Sequence, residues 1–174
     1  MGKFVLLVDQ SDNQIGVMEK MEAHEKGLLH RAFSIFIFND QNQMMIHQRA
    51  LDKYHSPGLW TNACCSHQQP GETSDQAAHR RLMEEMGFDC DLNKEFEFIY
   101  RAEFSNGLVE HEYDHVLIGR FNDSPNPNPI EVNDWKWIDL DVLESDISEN
   151  PESYTPWFLI SWEKVVKNRL EKRA

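Results

Sequence analysis

The sequence predicts an α+β fold, a mixed sheet core flanked by helices, in a single domain spanning residues 1–174. A chain of this length fits one domain with a buried core. Short apolar runs separated by turn-forming residues recur along it, which is typical of mostly antiparallel strands. Two further segments, after Thr73 and after Pro156, carry apolar residues at helical spacing.

The N-terminal part is expected to contain two hairpins. Residues 4–8 and 15–18 are apolar runs on either side of a cluster of turn formers, so we expect them to pair. Residues 31–38 are rich in Phe and Ile and predict a buried strand, with residues 44–48 returning as its partner. Between the hairpins, the polar residues 20–27 are expected to form a loop or a single helical turn.

A helix is predicted to run to Met86. Thr73 or Ser74 can cap its start, and Gly87 stands where a left-handed residue would end it. Its buried stripe would consist of apolar residues four apart, namely Ala78, Leu82 and Met86.

The C-terminal half is expected to hold a strand pair, a short strand and up to two helices. The alternating aromatics Phe96, Phe98 and Tyr100 indicate a strand, and Asn106-Gly107 is a strong turn signal before the next one. The predicted elements are strands over residues 95–103, 108–121 and 135–138, and helices over residues 140–148 and 157–171.

Several polar residues have an ordinary surface interpretation when each is considered alone. Glu110, Glu112 and Asp114 share one face of the long strand because strand side chains alternate, and such a row of acids is usually exposed. His24 and His30 flank Gly27, and isolated histidines are also mostly surface residues. These expectations change if the residues belong to one site.

Composition limits the classes of binding partner that we expect and indicates a cellular compartment. The net charge is −13, which disfavours nucleic acid and anionic membranes, because binding them needs a surplus of Lys and Arg. An anionic small molecule would need a local basic pocket or a metal. The three cysteines are an odd number, typical of a reducing, cytoplasmic setting. No apolar run is long enough for a signal peptide or a membrane span.

Residues 58–72 are the strongest candidate for a site. They carry Cys64, Cys65 and His67 just before a Pro-Gly turn and the predicted helix. Adjacent residues of an extended backbone point to opposite sides, so only one of the two thiols can face a substrate.

Residues 66–88 resemble a degenerate Nudix box. Glu72 matches its first glutamate, and residues 80–88 match its closing Glu-Glu-x-Gly-hydrophobic pattern. Two positions depart from it. Ser66 replaces the opening glycine, and Arg81 stands where hydrolytic members carry a glutamate. The departure at Arg81 implies a weakened metal clamp on the helix.

The whole chain resembles the type I isopentenyl-diphosphate isomerases, which have a Nudix fold. Matching segments occur in the family's order: the early histidines at 24 and 30, Trp-Thr-Asn followed by Cys-x-His at 60–67, Tyr-Arg-Ala at 100–102, Glu-x-Glu at 110–112, and Pro-Trp at 156–157. The Cys-x-His spacing of this family selects Cys65 over Cys64.

The resemblance implies a divalent cation at a His and Glu site. Imidazoles together with carboxylates suit Mn²⁺ or Zn²⁺ better than Mg²⁺ alone. The implied ligands are His24, His30, His67, Glu110 and Glu112.

The implied reaction moves a proton between the allylic positions of isopentenyl and dimethylallyl diphosphate. Cys65 and Glu112 would be the two proton-transfer groups, and Tyr100 would support Glu112 by a hydrogen bond. Trp157 would turn its ring face toward the cationic intermediate, a contact worth about 2 kcal/mol when desolvated.

The resemblance also implies how the diphosphate is held. Its cationic partners would be Lys20, Arg49, Lys53 and Arg81, with Mg²⁺ held on the substrate by Glu85. No flavin is expected, because this type of reaction is redox-neutral. The implied partner is a small-molecule diphosphate, acted on by a monomer or weak homodimer.

Two alternatives stay open at the level of sequence. A Nudix hydrolase of a nucleoside diphosphate derivative is favoured by Glu72, Glu84 and Glu85, and disfavoured by Ser66 and Arg81. A non-enzymatic ligand sensor of the same fold would not need a full set of Cys, Glu and metal-binding residues.

Overall fold

Residues 3–173 are the part of the chain that this computed structural model describes, and nine strands and four α-helices lie within them. Residues 1, 2 and 174 lie outside it, so the single domain over 1–174 stays a prediction at its ends. The strands are β1 Phe4–Val8, β2 Gln14–Glu19, β3 His30–Phe38, β4 Met44–Arg49, β5 Trp60–Asn62, β6 Cys64–Ser66, β7 Leu92–Glu103, β8 Val109–Arg120 and β9 Val132–Ile138. The helices are α1 Lys20–Lys26, α2 Ser74–Met86, α3 Leu140–Glu149 and α4 Pro156–Arg173, and a 3₁₀ turn occupies Pro151–Ser153.

Strands β3 and β8 lie side by side and parallel at the centre of the sheet. Their register runs from His30 opposite Glu112 to Phe38 opposite Arg120. β7 adds to β8 in antiparallel fashion, and β1 and β6 add to β3 in the same way. The mixed sheet and the α+β class predicted from the sequence are therefore confirmed.

The predicted pairing of residues 31–38 with residues 44–48 was largely wrong. β3 and β4 meet at a single register position, Phe38 opposite Met44. β4 instead pairs along its length with β9 and, over three residues, with β5. The reason is that both hydrogen-bonding edges of β3 are already paired, one with β8 and the other with β6 and β1. The turn sequence at residues 39–43 carries no information about these distant partners.

Helices cover both faces of the sheet, which explains why β3 is apolar throughout. On one face, Ile35 and Ile37 pack in a buried cluster with Leu82 of α2. On the other face, Phe36 packs in a buried cluster with Phe158 of α4. A strand buried on both faces is a continuous apolar run rather than an alternating one.

Helix α1 is longer than the single turn expected for residues 20–27. The Glu19 side chain accepts a hydrogen bond from the Glu22 N–H at its start, and Gly27 ends it with a φ of 62°. Gly27 is suited to that left-handed conformation because it has no Cβ. The helix buries His24 against the sheet, so the surface interpretation of this histidine is wrong.

Helix α2 follows the sequence prediction closely. Thr73 caps its start in a reciprocal capping box with Gln76, and Gly87 ends it with a φ of 74°. Its last carbonyl groups accept hydrogen bonds from the N–H groups of Asn126 and Asn128. The loop before β9 is thereby held against the C-terminal end of α2. Helices α3 and α4 also confirm their predictions.

None of the helices in the described range is both long and apolar enough to cross a membrane.

The end of α2 makes a direct test of this packing possible. A Cβ on Gly87 would lie 2.1 Å from the carbonyl oxygen of Asn126, whereas a Cβ on Gly107 would meet nothing within 4 Å. Both glycines have positive φ. We expect Gly87→Ala to lower the free energy of unfolding by about 3 kcal/mol, and Gly107→Ala by about 1 kcal/mol. Urea unfolding measures both values, and equal losses would show that the Asn126 contact is unimportant.

Candidate active site

Four side chains of types that can bind a metal ion come from four parts of the fold and converge on one point. His24 comes from α1, His30 begins β3, His67 follows β6, and Glu112 lies on β8. One potential ligand atom of each lies within 4.8 Å of those of the others. The register of β3 and β8 contributes directly, because it sets His30 opposite Glu112.

Hydrogen bonds to the backbone orient two of these imidazoles. Nδ1 of His24 lies 2.7 Å from the Lys20 carbonyl oxygen, and Nδ1 of His30 lies 2.8 Å from the Leu28 carbonyl oxygen. A carbonyl only accepts, so Nδ1 carries the proton and, in the neutral ring, Nε2 keeps its lone pair. Burial lowers the pKa of His24, which favours the neutral ring.

The Nε2 atoms of His24 and His30 are buried and, within the described residues, make no hydrogen bond, although Nε2 of His30 lies 3.5 Å from Glu112 Oε1. A buried polar atom without a partner is costly unless something else binds it. This observation fits a cation with nitrogen ligands at the centre of the cluster.

Two carboxylates and a phenol form the next layer of the site. The Tyr100 hydroxyl donates to Glu112 Oε2 at 2.6 Å and lies 3.0 Å from Glu110 Oε2. Nε2 of His67 lies 2.9 Å from Glu112 Oε1. Glu110 and Glu112 are both buried, so the surface interpretation of this row of acids is wrong.

The two glutamates differ in protonation. Burial and the negative charge of Glu112 raise the pKa of Glu110 well above its usual range. Burial also opposes ionisation of Glu112, but the contacts of its carboxylate with the His30 and His67 imidazoles outweigh this effect and hold its pKa well below the usual range. Before any cation binds, Glu112 is therefore the ionised member of the pair.

The adjacent cysteines have different surroundings. Cys64 is fully buried and packs in the cluster beneath α2, whereas Cys65 lines the cavity of the site. The Cys65 thiol donates to Asn62 Oδ1 at 3.1 Å. Burial, followed by the charge of Asp114, raises the pKa of Cys65 well above its usual range, so the thiol holds its proton.

Asn62 can only present its oxygen to Cys65. Its Nδ2 donates to the carbonyl oxygens of Ile35 at 2.9 Å and Cys64 at 3.0 Å, which uses both amide hydrogens. The Thr61 hydroxyl also donates to Asn62 Oδ1, at 3.0 Å. Asn62, with Thr61 beside it, thus defines the hydrogen-bonding environment on one side of the Cys65 thiol.

A cavity of about 340 Å³ joins the thiol, the carboxylates and the basic residues. His30 does not line it but lies beside His24 and His67, with tilted rings whose centroids are 4.8 and 5.1 Å away. The other side chains predicted for the site that line the cavity are Lys20, His24, Arg49, Lys53, Cys65, His67, Arg81, Glu85, Tyr100, Glu110, Glu112 and Trp157.

Comparison with known proteins identifies the family. The NUDIX domain matches residues 28–158. An isopentenyl-diphosphate Delta-isomerase of Aromatoleum aromaticum is 50% identical over 165 residues, covering 95% of this chain and 87% of that protein. One of Serratia proteamaculans is 45% identical and covers 100% of this chain and 97% of that protein. The chain belongs to the isopentenyl-diphosphate Delta-isomerase family.

Solved structures support the fold of this family member. A Deinococcus radiodurans protein has a TM-score of 0.70 at 21% identity, covering 84% of this chain and 90% of that chain. A MutT Nudix hydrolase of Burkholderia pseudomallei has a TM-score of 0.63 at 19% identity, covering 79% of this chain and 98% of that chain. At these identities the likeness concerns the fold alone.

In this isomerase-family chain, Arg81 places a positive charge among the acids of the Nudix box. Its guanidinium pairs with Glu84 at 2.7 Å and with Glu85, and lies 3.6 Å from Glu131. Glu131 also pairs with Lys53. Two of the cations predicted to bind the diphosphate are therefore held by one carboxylate that the sequence did not single out.

The other two cations predicted to bind the diphosphate, Arg49 and Lys20, also have partners within the protein. The Arg49 guanidinium donates to the carbonyl oxygens of His55 and Ser56 at 3.2 Å, and its carbon lies 5.1 Å from the Trp157 ring centroid. Lys20 lies 5.6 Å from the Tyr54 ring centroid. Arg49 therefore lies on the Trp157 ring, a contact that the sequence did not suggest.

Sequence reasoning missed several residues at the site. His55 is buried between Phe104 and Trp157, and nothing in its loop indicated this. Asp114 was expected to be exposed but is 1% exposed, because the face of β8 that carries it points into the protein. Its two-residue spacing from Glu112 was the available signal.

A second set of potential metal ligands lies away from this site and already has charged partners. Asp12 Oδ2 lies 2.8 Å from His115 Nε2, and Arg31 donates to Asp12 Oδ1 at 2.7 Å. Glu97, the third member, pairs with Lys94. We interpret this set as an ion-pair network that ties the β1–β2 turn to the sheet.

We expect Arg80 and Arg81 of helix α2 to contribute differently to the free energy of unfolding. Glu85 is 6% exposed, so Arg81→Met would leave a buried carboxylate without its partner. We expect a loss of about 3 kcal/mol in the free energy of unfolding at neutral pH. Arg80→Met is the matched control, and we expect it to cost about 1 kcal/mol because its partners, Glu72 and Glu84, are more exposed.

The Arg81→Met deficit should depend on pH. Burial raises the pKa of Glu85, and removing Arg81 raises it further, so the folded variant takes up a proton as the pH falls. The deficit relative to the wild type should therefore shrink toward acidic pH. Urea unfolding over a pH series measures it, and a deficit that grows on acidification would contradict the pairing.

Proposed function

We propose that this chain interconverts isopentenyl diphosphate and dimethylallyl diphosphate, the isomerisation named in its relatives. In the forward direction a proton adds to the terminal alkene carbon, giving a tertiary carbocation, and a proton then leaves C2. The observation that carries the proposal is one cavity holding a half-buried thiol, a buried carboxylate and several basic side chains.

Cys65 and Glu112 are the proposed proton-transfer groups. Their pKa values are shifted in opposite directions, so the resting site has one group that holds a proton and one that can take one. A 1,3-shift needs this combination. An alkene is a very weak base, so the donor must be closely positioned and shielded from water. The reverse reaction uses the same two groups in the opposite order.

The residues present fit a divalent cation, proposed to be Mn²⁺, Zn²⁺ or Mg²⁺. The unpartnered Nε2 atoms of His24 and His30 and the carboxylate of Glu112 offer mixed nitrogen and oxygen ligands. When bound, such a cation supplies positive charge beside Glu112. The proposed ligands are His24, His30, His67, Glu110 and Glu112.

Tyr100 and Trp157 are proposed to support the reacting groups. The Tyr100 hydroxyl orients Glu112 through its 2.6 Å hydrogen bond. Trp157 is buried beside the cavity, and its ring offers negative electrostatic potential to a developing cation, although Arg49 lies over the same ring. Stabilisation by Trp157 would therefore come from a face or edge that Arg49 leaves accessible.

Positive charge on the other side of the cavity is proposed to bind the diphosphate. The overall net charge of −13 makes local cations necessary for an anionic substrate. Mg²⁺ carried by the diphosphate is proposed to bind at Glu85. The proposed diphosphate-binding side chains are Lys20, Arg49, Lys53 and Arg81. We propose that the enzyme acts in the cytoplasm on this small molecule, as a monomer or weak homodimer.

The alternative is hydrolysis of a nucleoside diphosphate derivative. It is disfavoured because Arg81 pairs with Glu84 and Glu85, the carboxylates that a hydrolytic box would use to bind metal. Phosphate release from nucleotide sugars, without allylic product from isopentenyl diphosphate, would support it instead.

The cysteines give a direct test of the isomerase proposal. Purified protein supplied with Mn²⁺ and Mg²⁺ should convert isopentenyl diphosphate to its acid-labile allylic isomer. Cys65→Ala should abolish turnover because it removes a proton-transfer group. Cys64→Ala should largely keep turnover, since this thiol lies in the core. No conversion with any metal would refute the proposal, and the reverse pattern between the cysteines would reassign the thiol.

The metal ligands can be tested without an activity assay. His67→Asn should weaken Mn²⁺ binding by at least about a hundredfold, because it removes a ligand from a small set. The signal of free Mn²⁺ in electron paramagnetic resonance measures the affinity. His79→Asn is the matched control, because this histidine lies on α2 and pairs with Asp89 away from the site. Similar affinity in both variants would exclude His67 as a ligand.

A further inference from the structure

Asp114 is a buried carboxyl group that has no role in the reaction steps proposed above. It is 1% exposed, and its Oδ1 is a buried atom without a hydrogen-bond partner in the described part of the chain. Its other oxygen, Oδ2, accepts a hydrogen bond from the Ser34 hydroxyl at 2.7 Å. An apolar residue on β8 would avoid the cost of burying a carboxyl group so incompletely paired.

Ser34 connects this carboxyl group to the proposed catalytic thiol. Ser34 and Cys65 are direct partners in the pairing of β3 with β6, and Ser34 Oγ lies 3.3 Å from Cys65 Sγ. Ser34 is 3% exposed, so solvent does not compete for these contacts. A short row of hydrogen-bonded side chains thus crosses three neighbouring strands, from Asp114 on β8 through Ser34 on β3 to Cys65 on β6.

Counting hydrogens shows what the row does to Cys65. Ser34 has one hydroxyl hydrogen and lies between two partners, Asp114 Oδ2 at 2.7 Å and Cys65 Sγ at 3.3 Å. The contact with Asp114 therefore decides whether Ser34 offers Sγ a hydrogen or a lone pair. Asn62 presents only an oxygen to Sγ, so the thiol hydrogen has a fixed acceptor on that side. These two neighbours limit where the Cys65 hydrogen can point.

We propose that Ser34 and Asp114 are positioning residues for the reaction, with Asp114 orienting the Ser34 hydroxyl and Ser34 orienting the Cys65 thiol. The inference rests on the proposed role of Cys65 as a proton-transfer group. It also accounts for a carboxyl group kept in the interior on the same face of β8 as Glu110 and Glu112. One face of one strand then serves both proton-transfer groups.

The first test sets activity against stability. Asp114→Val replaces an incompletely paired buried carboxyl group by an apolar side chain suited to a strand. Its unfolding midpoint should equal or exceed that of the wild type. Its kcat should nevertheless fall by about ten- to a hundredfold, with KM nearly unchanged, because the thiol is misplaced while the basic residues are intact. A purely structural role predicts that activity and stability fall together.

Further variants separate the stability gained by pairing Asp114 with Ser34 from the orientation of the Cys65 thiol. Ser34→Ala leaves Asp114 without its partner, so both kcat and the unfolding midpoint should fall. The double variant Ser34→Ala/Asp114→Val should recover the midpoint but not kcat. Asp114→Asn keeps a carbonyl oxygen that accepts from Ser34, so its kcat should stay within about threefold of the wild type. A loss in Asp114→Asn as large as in Asp114→Val would overturn the proposal.

The thiol itself supplies a readout that does not depend on turnover. In a Cys64→Ala/Cys90→Ala background, Cys65 is the one remaining thiol of the chain's three. Its S–H stretching frequency in the infrared reports the hydrogen bond that the thiol makes. Ser34→Ala and Asp114→Val should each shift this band, whereas Ser148→Ala, on exposed α3, should not. An unshifted band in both site variants would overturn the proposal.

Failure of this inference is distinguishable from failure of the proposed function. If Cys65→Ala keeps full turnover, the role of the thiol itself is wrong. If Cys65→Ala is inactive but Ser34→Ala and Asp114→Val keep the wild-type kcat, the isomerase proposal stands and the positioning role is refuted.

Discussion

The parallel pairing of β3 with β8 is the constraint on which the site depends. One register sets His30 opposite Glu112 and brings Ser34 within hydrogen-bonding distance of Asp114. A shift of one residue would turn the acids of β8 to the opposite face of the sheet. Helices cover both faces of these two strands. The apolar packing on each face therefore holds the register that brings the polar side chains of the site together. The carboxylates of β8 are therefore costly to bury individually but are stabilised by partners that the same register provides.

Charge balance explains why a strongly acidic protein can offer a basic cavity. Lys53 and Arg81 come from different elements, and Glu131 contacts both. The loop that carries Glu131 is in turn fixed to the end of α2 through Asn126 and Asn128. The two cations are thus held near one another by the protein itself, which would reduce the cost of ordering them in the proposed binding of the diphosphate. Arg81 can take part in this balance because it lies among the carboxylates of Glu84, Glu85 and Glu131.

Much of the fold could be predicted from local patterns. Helix α2 has a capping residue, an apolar stripe and a terminal glycine within one short segment, and its bounds agree closely with the prediction. Pairing between distant segments was harder, because a strand rich in Phe and Ile shows that it is buried but not which strands lie beside it. β4 therefore turned out to pair with β9 rather than mainly with β3. Helix α1 was underestimated because its one buried face includes a histidine.

The sequence by itself determined the α+β class and the family, and it supplied the candidate site residues, because these depend on residue types in a fixed order. It separated Cys64 from Cys65 only through the spacing of a family motif. The tertiary structure decided which polar groups share an environment. The burial of Asp114 behind Ser34, the bridging position of Glu131 and the enclosure of His55 all arise from segments distant in the chain. Such contacts depend on register and packing, which no local pattern encodes.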